Sequence, residues 1–275
     1  MFKLMEESPV RMPMFLFLAL FSVSLAEVAG ANTVPIGQFK PFIIGGVEVE
    51  PQDLIAATTV AIMGQDDEGQ FLCSGSILDQ DLVVTAGHCL GDSGKAALSI
   101  YFRANLKGQG PIVVATGALR PQQYTGGPDA STNMYDIALV HFNGGLPAGY
   151  QPVKLLDNAN SLRDGEQVTL AGFGVTQADA DSFDTSGAGT LRKVNVNILQ
   201  AKMPSTEVLL DESHGRGSCN GDSGGPAFVE RSGALVLFGV TSRGDGACAQ
   251  EGIYTNIPTH TAWLAQATQS LRQQQ

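Results

Sequence analysis

The segment Cys219-Asn220-Gly221-Asp222-Ser223-Gly224-Gly225-Pro226 places a serine in a glycine-rich turn beside a cysteine. A serine hydroxyl is a weak nucleophile, so it needs a base within hydrogen-bonding distance before it can attack a substrate. Glycines next to the serine leave backbone N–H groups free to donate to a developing oxyanion. The segment therefore predicts a nucleophilic serine, Ser223, whose base comes from elsewhere in the chain.

Two earlier segments supply the groups that such a serine requires. Thr85-Ala86-Gly87-His88-Cys89 ends an apolar run in a histidine, and Asp136-Ile137-Ala138-Leu139 puts a carboxylate at the head of another. Imidazole is a base near neutral pH, and a buried carboxylate fixes its tautomer and stabilises the imidazolium. Alone, each residue is explained by packing or by a turn. In the order His88, Asp136, Ser223 they predict a catalytic triad.

After residue 31 the chain consists of short apolar runs separated by turn residues, which predicts many β-strands. The predicted strands cover residues 58–63, 71–78, 82–85, 97–102, 112–115, 137–142, 167–171, 191–198, 234–241 and 253–256. The final segment differs, because Trp263, Leu264, Ala267 and Leu271 fall at helical spacing. We therefore predict an all-β protein closed by one C-terminal helix.

The composition excludes two classes of partner. The chain has 275 residues with 43% hydrophobic residues, enough apolar material for one large domain or two small ones. Its 16 Lys and Arg against 27 Asp and Glu give a net charge of −11. A chain this acidic is repelled by nucleic acid and by anionic membrane surfaces, so neither is expected as a partner.

The N-terminal region carries the features of a secretory signal. An apolar run over residues 14–26 follows Lys3 and Arg11 and is shorter than the roughly 18–20 residues of a membrane span. Ala29-Gly30-Ala31 then provides small residues at the spacing that a signal peptidase reads. We therefore predict a signal peptide over residues 1–31 and export to the extracellular space or, in a bacterium, to the periplasm. A buried N-terminal helix is the alternative.

The four cysteines predict disulfides rather than a metal site. No CxxC motif occurs, so neither a zinc ribbon nor a thioredoxin-type site is indicated. Export permits disulfides, and of the three pairings that four cysteines allow, the sequential one is the simplest. No other cluster has metal-ligand spacing, so we predict neither a metal nor a cofactor. For the acidic turn Asp66-Asp67-Glu68, calcium binding is the alternative to a solvated turn.

Together the three motifs resemble those of the trypsin-like (chymotrypsin-fold) serine proteases, and the similarity runs from Ile43 to about Ala265. The resemblance implies two six-stranded antiparallel β-barrels with the active site in the cleft between them, and the disulfides Cys73–Cys89 and Cys219–Cys248. The implied divisions are a signal peptide (1–31), an activation propeptide (32–42) and a peptidase domain (43–275). Within that domain we expect an N-terminal barrel (about 43–148), a C-terminal barrel (about 149–258) and a helix (259–271).

The resemblance also implies roles for individual residues. His88 would be the general base, Asp136 its orienting partner and Ser223 the nucleophile, with the N–H groups of Gly221 and Ser223 forming the oxyanion hole. The implied substrate-binding residues are Gly217, Ser218, Ser242, Arg243, Gly244 and Gly252. The partners would be protein or peptide substrates and a protein protease inhibitor, and the enzyme would act as a monomer.

Ile43-Ile44-Gly45-Gly46 resembles the N-terminus that zymogens of this family expose on activation. Cleavage after Phe42 would create an α-ammonium group on Ile43 that pairs with the Asp222 carboxylate. Because Asp222 adjoins both Gly221 and Ser223, that ion pair would order the oxyanion hole. The alternative is an ordinary strand that starts after a turn.

The specificity pocket departs from the pattern in which an aspartate six residues before the nucleophile selects Arg and Lys. Here that position is Gly217, so a neutral floor predicts a non-tryptic preference for large apolar or aromatic P1 side chains. The alternative is an acidic P1 side chain, because Arg243 replaces the usual aromatic residue and Arg216 is near in sequence.

Two other classes of protein are weighed against a protease. The segment around Ser223 also satisfies the GxSxG nucleophile elbow of α/β-hydrolases, with Asp245 and His260 following in the required order. That fold requires alternating strands and helices, and it would leave His88 and Asp136 without a role. A catalytically silent protease homologue that acts as a binding or adaptor protein usually lacks a triad residue, whereas this chain keeps all three.

Overall fold

The computed structural model describes residues 43–126, 134–178, 187–203 and 206–274. All of them belong to one structural unit, Lys40–Gln275. The predicted signal peptide (1–31), the predicted propeptide (32–42) and Phe42 lie outside the described residues.

The described chain begins with a two-residue strand, β1 (Val47–Glu48), and a short helix, α1 (Leu54–Thr58). Six antiparallel strands then close into a first barrel in the order β2-β3-β4-β7-β6-β5. They are β2 (Thr59–Asp66), β3 (Gly69–Asp79), β4 (Leu82–Thr85), β5 (Ala97–Tyr101), β6 (Ile112–Leu119) and β7 (Ala138–Phe142). Every residue of β4 and of β7 is buried, which explains why both strands are mostly apolar, with only Thr85 and His141 as polar members.

A second barrel follows in the order β9-β10-β13-β12-β11-β8 and is closed by pairing of β8 with β9. Its strands are β8 (Gln167–Gly172), β9 (Arg192–Gln200), β10 (Glu207–Asp211), β11 (Pro226–Arg231), β12 (Ala234–Gly244) and β13 (Glu251–Asn256). Strand β1 pairs with the first two residues of β9, Arg192 and Lys193. The core of the first barrel continues into the second through Phe173 and Phe228, so the barrels pack directly on each other.

The chain ends in helix α2 (Thr261–Gln273), which follows a 3-10 turn (Ile257–His260). Leu264, Ala267 and Leu271 form its buried face and join the core of the first barrel. Near its end Arg272 bonds Asp81 (2.9 Å) and Asp79 (2.8 Å) at the edge of that barrel. Among the described residues, no helix is long and apolar enough to cross a membrane.

The predicted fold is confirmed: the protein is all-β, with two closed barrels and a C-terminal helix. Each of the ten predicted strands corresponds to a strand of the structure, while β1, β10 and β11 were not predicted. Strand β10 contains only three apolar residues between acidic ones, and β11 begins with a proline, so neither gives a long apolar run.

Candidate active site

His88 and Asp136 meet where two paired strands of the first barrel end. Strands β4 and β7 are antiparallel with Thr85 opposite Ala138, so the residues after β4 lie beside those before β7. The His88 Nδ1 atom lies 2.8 Å from Asp136 Oδ2, and the His88 backbone N–H donates to Asp136 Oδ1 at 2.9 Å. Two contacts to one carboxylate fix the orientation of the imidazole ring.

Two residues of the second barrel also bind Asp136. The Ser242 hydroxyl donates to Asp136 Oδ2 at 2.6 Å, and the Thr255 hydroxyl donates to the Asp136 carbonyl at 2.7 Å. Burial of Asp136 acts to raise its pKa, but the charge of His88 and the hydrogen bonds from His88 and Ser242 outweigh it and hold the pKa below its usual value. The Asp136 side chain is therefore an ionised acceptor facing the His88 ring.

Ser223 lies in a turn of the second barrel that is packed directly against the segment carrying His88. The Ser74 N–H of β3 donates to the Ser223 carbonyl at 2.8 Å, and the Cys89 Sγ atom lies 3.7 Å from the same oxygen. A Cβ atom on Gly224 would lie 2.5 Å from the Ser74 carbonyl oxygen and 2.9 Å from the Ala86 nitrogen. Only a residue without a side chain permits this approach, which brings Ser223 beside the residues that flank His88.

The Gly221 end of this turn is fixed by one hydroxyl of the first barrel. Ser74 Oγ donates to the Gly221 carbonyl at 3.0 Å and accepts from the Phe173 N–H at 3.0 Å. Gly221 has a φ of +94°, a backbone conformation that favours glycine. The carbonyl of Gly221 is thereby turned towards β3.

Asp222 is buried, and its carboxylate packs closely against Gly172 and Gly174. Its carboxylate accepts from the Gly174 N–H at 2.7 Å and from the Cys219 N–H at 3.0 Å. Burial raises the pKa of Asp222 to about 7, although these backbone donors and the charge of Arg192 act to lower it. Within the described ranges no ion pair involves Asp222.

The predicted activation segment lies in the same barrel. Ile43 is 1% exposed and belongs to the core of the second barrel. The Ile44 carbonyl accepts from the Gly217 N–H at 2.9 Å, which ties this segment to the predicted pocket floor. The segment is therefore hydrogen-bonded to Gly217, and its first residue is buried in the barrel that also holds Asp222.

Two disulfides border the site. Cys73 in β3 is bonded to Cys89, and Cys219 is bonded to Cys248, which is the pairing that the resemblance implies. Cys73, His88 and Cys89 lie close enough together to be considered as metal ligands. They do not fit that role, because both sulfur atoms are bonded to each other.

The sequence profile of the trypsin family, described simply as Trypsin, matches residues 43–264, most of the chain. The chain belongs to the trypsin family. As a member of that family it is a serine endopeptidase.

Individual relatives are similar over most of this chain. Urokinase-type plasminogen activator of Gallus gallus is 29% identical over 252 residues, 81% of this chain and 56% of the relative, so the chain spans about half of that protein. Trypsin delta of Drosophila melanogaster is 29% identical over 269 residues, 89% of this chain and 97% of the relative. Trypsin alpha of Drosophila erecta is 26% identical over 270 residues, 90% of this chain and 97% of the relative.

A cavity of about 150 Å³ opens beside Ser223 in this trypsin-family chain. Of the predicted substrate-binding residues, four line it: Ser218, Ser242, Arg243 and Gly244. The other two adjoin lining residues: Gly252 is paired with Gly244 across β12 and β13, and Gly217 precedes Ser218.

A glutamate lies against Gly217, the residue from which a neutral pocket floor was predicted. A Cβ atom on Gly217 would lie 2.5 Å from Cβ and 2.6 Å from Oε2 of Glu212, so this glutamate occupies the space that a side chain at 217 would take. Glu212 directly follows β10, a strand that was not predicted. It also precedes the segment around Ser223 from which the pocket residues were predicted. The only sequence signal was an acidic residue shortly before the pocket segment.

Arg243, considered above as the source of a positive pocket, forms an ion pair with a buried glutamate. Arg243 Nη1 lies 2.6 Å from Glu207 Oε1, and the two side chains are 8% and 3% exposed. The same nitrogen lies 3.2 Å from Ser242 Oγ. Because its charge is paired with a buried carboxylate, Arg243 does not give the cavity a free positive charge.

Proposed function

We propose that this trypsin-family chain is a secreted serine endopeptidase, made as an inactive precursor, in which Ser223 is the nucleophile. His88 would take the Ser223 hydroxyl proton as Oγ attacks the peptide carbonyl, and would return it to the leaving amine. Water would then hydrolyse the acyl-enzyme with the same base. The observation that carries this proposal is the 2.8 Å contact between His88 and Asp136, next to the turn that bears Ser223.

The oxyanion would be bound by the N–H groups of Gly221 and Ser223. Preorganised donors of this kind typically contribute about 3–4 kcal/mol each to transition-state stabilisation. The anchoring of the Gly221 carbonyl by Ser74 supports the proposal, because it fixes one face of the peptide that links Gly221 to Asp222.

Activation would follow from cleavage after Phe42 and pairing of the new Ile43 ammonium group with Asp222. The burial of both residues in the second barrel supports this step, since a buried carboxylate is stabilised by an opposite charge. Two disulfides are consistent with secretion. The substrates would be proteins or peptides, an inhibitor protein would bind the same cleft, and the enzyme would act as a monomer.

Labelling with a fluorophosphonate tests the nucleophile and its base together. The mature protein should be labelled on Ser223, and both Ser223→Ala and His88→Asn should lose the label. His214→Asn is the matched control, because His214 is exposed and has a φ of +64° that asparagine tolerates. A folded protein without labelling would instead favour a silent, adaptor-like homologue.

N-terminal sequencing tests the precursor. The secreted, labelled form should begin at Ile43, and acetylation of that amine should abolish turnover. Full activity of a form that retains residues before Ile43, or of the acetylated form, would contradict the activation step.

A further inference from the structure

Glu212 carries a buried carboxylate that lies against three of the predicted substrate-binding residues, Gly217, Ser218 and Gly252. One oxygen accepts from the Ser218 N–H at 3.0 Å, and the Ser218 hydroxyl lies 3.0 and 3.1 Å from the two oxygens. The Tyr254 hydroxyl donates to Oε1 at 2.5 Å. A Cβ atom on Gly252 would collide with the carboxylate, so the group projects between Gly217 and Gly252.

This carboxylate adjoins the cavity that opens at Ser223. Ser218, which contacts both Glu212 oxygens, lines that cavity together with Ser223. Gly252 is paired with Gly244, which forms another part of the lining. Ser218 therefore separates the cavity beside Ser223 from the Glu212 carboxylate, which lies within hydrogen-bonding distance of the cavity wall.

The hydrogen-bond donors to Glu212 are neutral. Among the described residues none of the ion pairs involves it, and Glu212 is 1% exposed. Burial raises the pKa of Glu212 to about 7, against the hydrogen bonds from Tyr254 and Ser218, and the charge of Asp245 raises it further. A buried acid with neutral partners is stabilised in its ionised form when a cation binds beside it.

The charges around the cavity favour a cation as well. Asp245, also in the lining, adds negative potential, and the positive charge of Arg243 is paired with Glu207. The net charge of the chain is −11, which attracts cationic segments of a substrate. These features disfavour an acidic P1 side chain.

We infer that Glu212 is the specificity-determining residue of this enzyme and binds a guanidinium or ammonium group, so that the chain cleaves after Arg or Lys. This inference rests on the proposed function. It replaces the apolar P1 preference that follows from Gly217 alone, because the acid reaches the pocket from the end of β10 instead of from position 217.

The first test compares peptides that differ only at P1, carrying Arg, Lys, Phe or Glu, with the activated wild-type enzyme. We expect kcat/KM to be at least about tenfold higher for Arg and Lys than for Phe or Glu, and benzamidine, an aromatic cation, to inhibit competitively. Faster cleavage after Phe or Glu would overturn the inference. This measurement needs no variant, so it stands even where a substitution at Glu212 prevents folding.

The second test removes only the charge. Glu212→Gln should lower kcat/KM for the Arg peptide by about 30-fold or more, the loss typical when one partner of a buried charge pair is neutralised. Cleavage of the Phe peptide should fall much less, so the ratio of kcat/KM for Arg over Phe should fall by about tenfold or more. Asp211→Asn is the matched control, because Asp211 is the adjacent carboxylate and lines a different pocket.

Fluorophosphonate labelling separates the two levels of the proposal. Absence of labelling on folded wild-type protein would refute the serine peptidase itself. Labelling of both variants, with an unchanged ratio of Arg to Phe cleavage in Glu212→Gln, would refute only the role of Glu212.

Discussion

Replacing Gly224 by alanine should show how tightly the Ser223 turn is packed against the first barrel. Gly224 has a φ of +79°, and a side chain in that conformation costs about 1–2 kcal/mol. The added Cβ would also lie 2.5 Å from the Ser74 carbonyl oxygen, and crowding of this kind costs about 1–3 kcal/mol. We therefore expect a loss of about 2–5 kcal/mol in the free energy of unfolding.

Gly233→Ala is the control, since Gly233 has a φ of +77° and nothing lies within 4 Å of its would-be Cβ. It should lose only the backbone contribution, about 1–2 kcal/mol, and keep full activity. Gly224→Ala should also lose about 100-fold in kcat/KM, because a displacement of about 1 Å in a reacting group has that effect. Denaturant unfolding and peptide hydrolysis measure both quantities. Equal stability and equal activity of the two variants would refute the tight packing described here.

Three further predictions concern the groups around the site. Ser242→Ala removes a hydrogen bond to the ionised Asp136, worth about 1.5–3 kcal/mol, so kcat/KM should fall roughly 10- to 150-fold. Denaturant unfolding is the control and should show that the variant is folded. Arg243→Met removes the cation that is paired with the buried Glu207, so it should lower the free energy of unfolding by about 3–5 kcal/mol. Adding Glu207→Gln should restore more than half of that loss. If the double variant shows no recovery, the two residues do not stabilise the fold as a pair. Because burial raises the pKa of Glu212 to about 7, the acid is neutral below that pH, so the ratio of kcat/KM for Arg over Phe peptides should rise as pH increases from 6 to 8. Titration of the catalytic groups affects both peptides equally and cancels in the ratio, and the ratio should not change with pH in Glu212→Gln.

The strands that carry the fold could be predicted because their own side chains are buried in long runs. Strands β4 and β7 are buried along their whole length, so their apolar character is visible in sequence. The residues proposed for catalysis lie at the ends of such runs or in the glycine-rich turn. His88, Asp136 and Ser223 could therefore be predicted from local motifs.

The charge of the pocket could not be predicted in the same way, because the residue that carries it is brought there by the pairing of strands that are distant in sequence. Glu212 reaches Ser218 and Tyr254 only because β10 pairs with β13 and the chain then turns back beneath the cavity. The ion pair between Arg243 and Glu207 likewise joins residues on strands β12 and β10. Neither pairing leaves a pattern in the neighbouring sequence, so a motif-based comparison at position 217 found only a glycine.

The steric relation between Gly217 and Glu212 matters for engineering. A Cβ atom at 217 would lie 2.5 Å from the Glu212 Cβ atom. An acidic side chain therefore fits at position 212 or at position 217, but not at both. Grafting the 217 loop of a relative with an aspartate there would force two carboxylates into one space and give a poorly folded chimera. Transplanting that loop together with the end of β10 would keep a single acid, so these two segments form one exchangeable cassette.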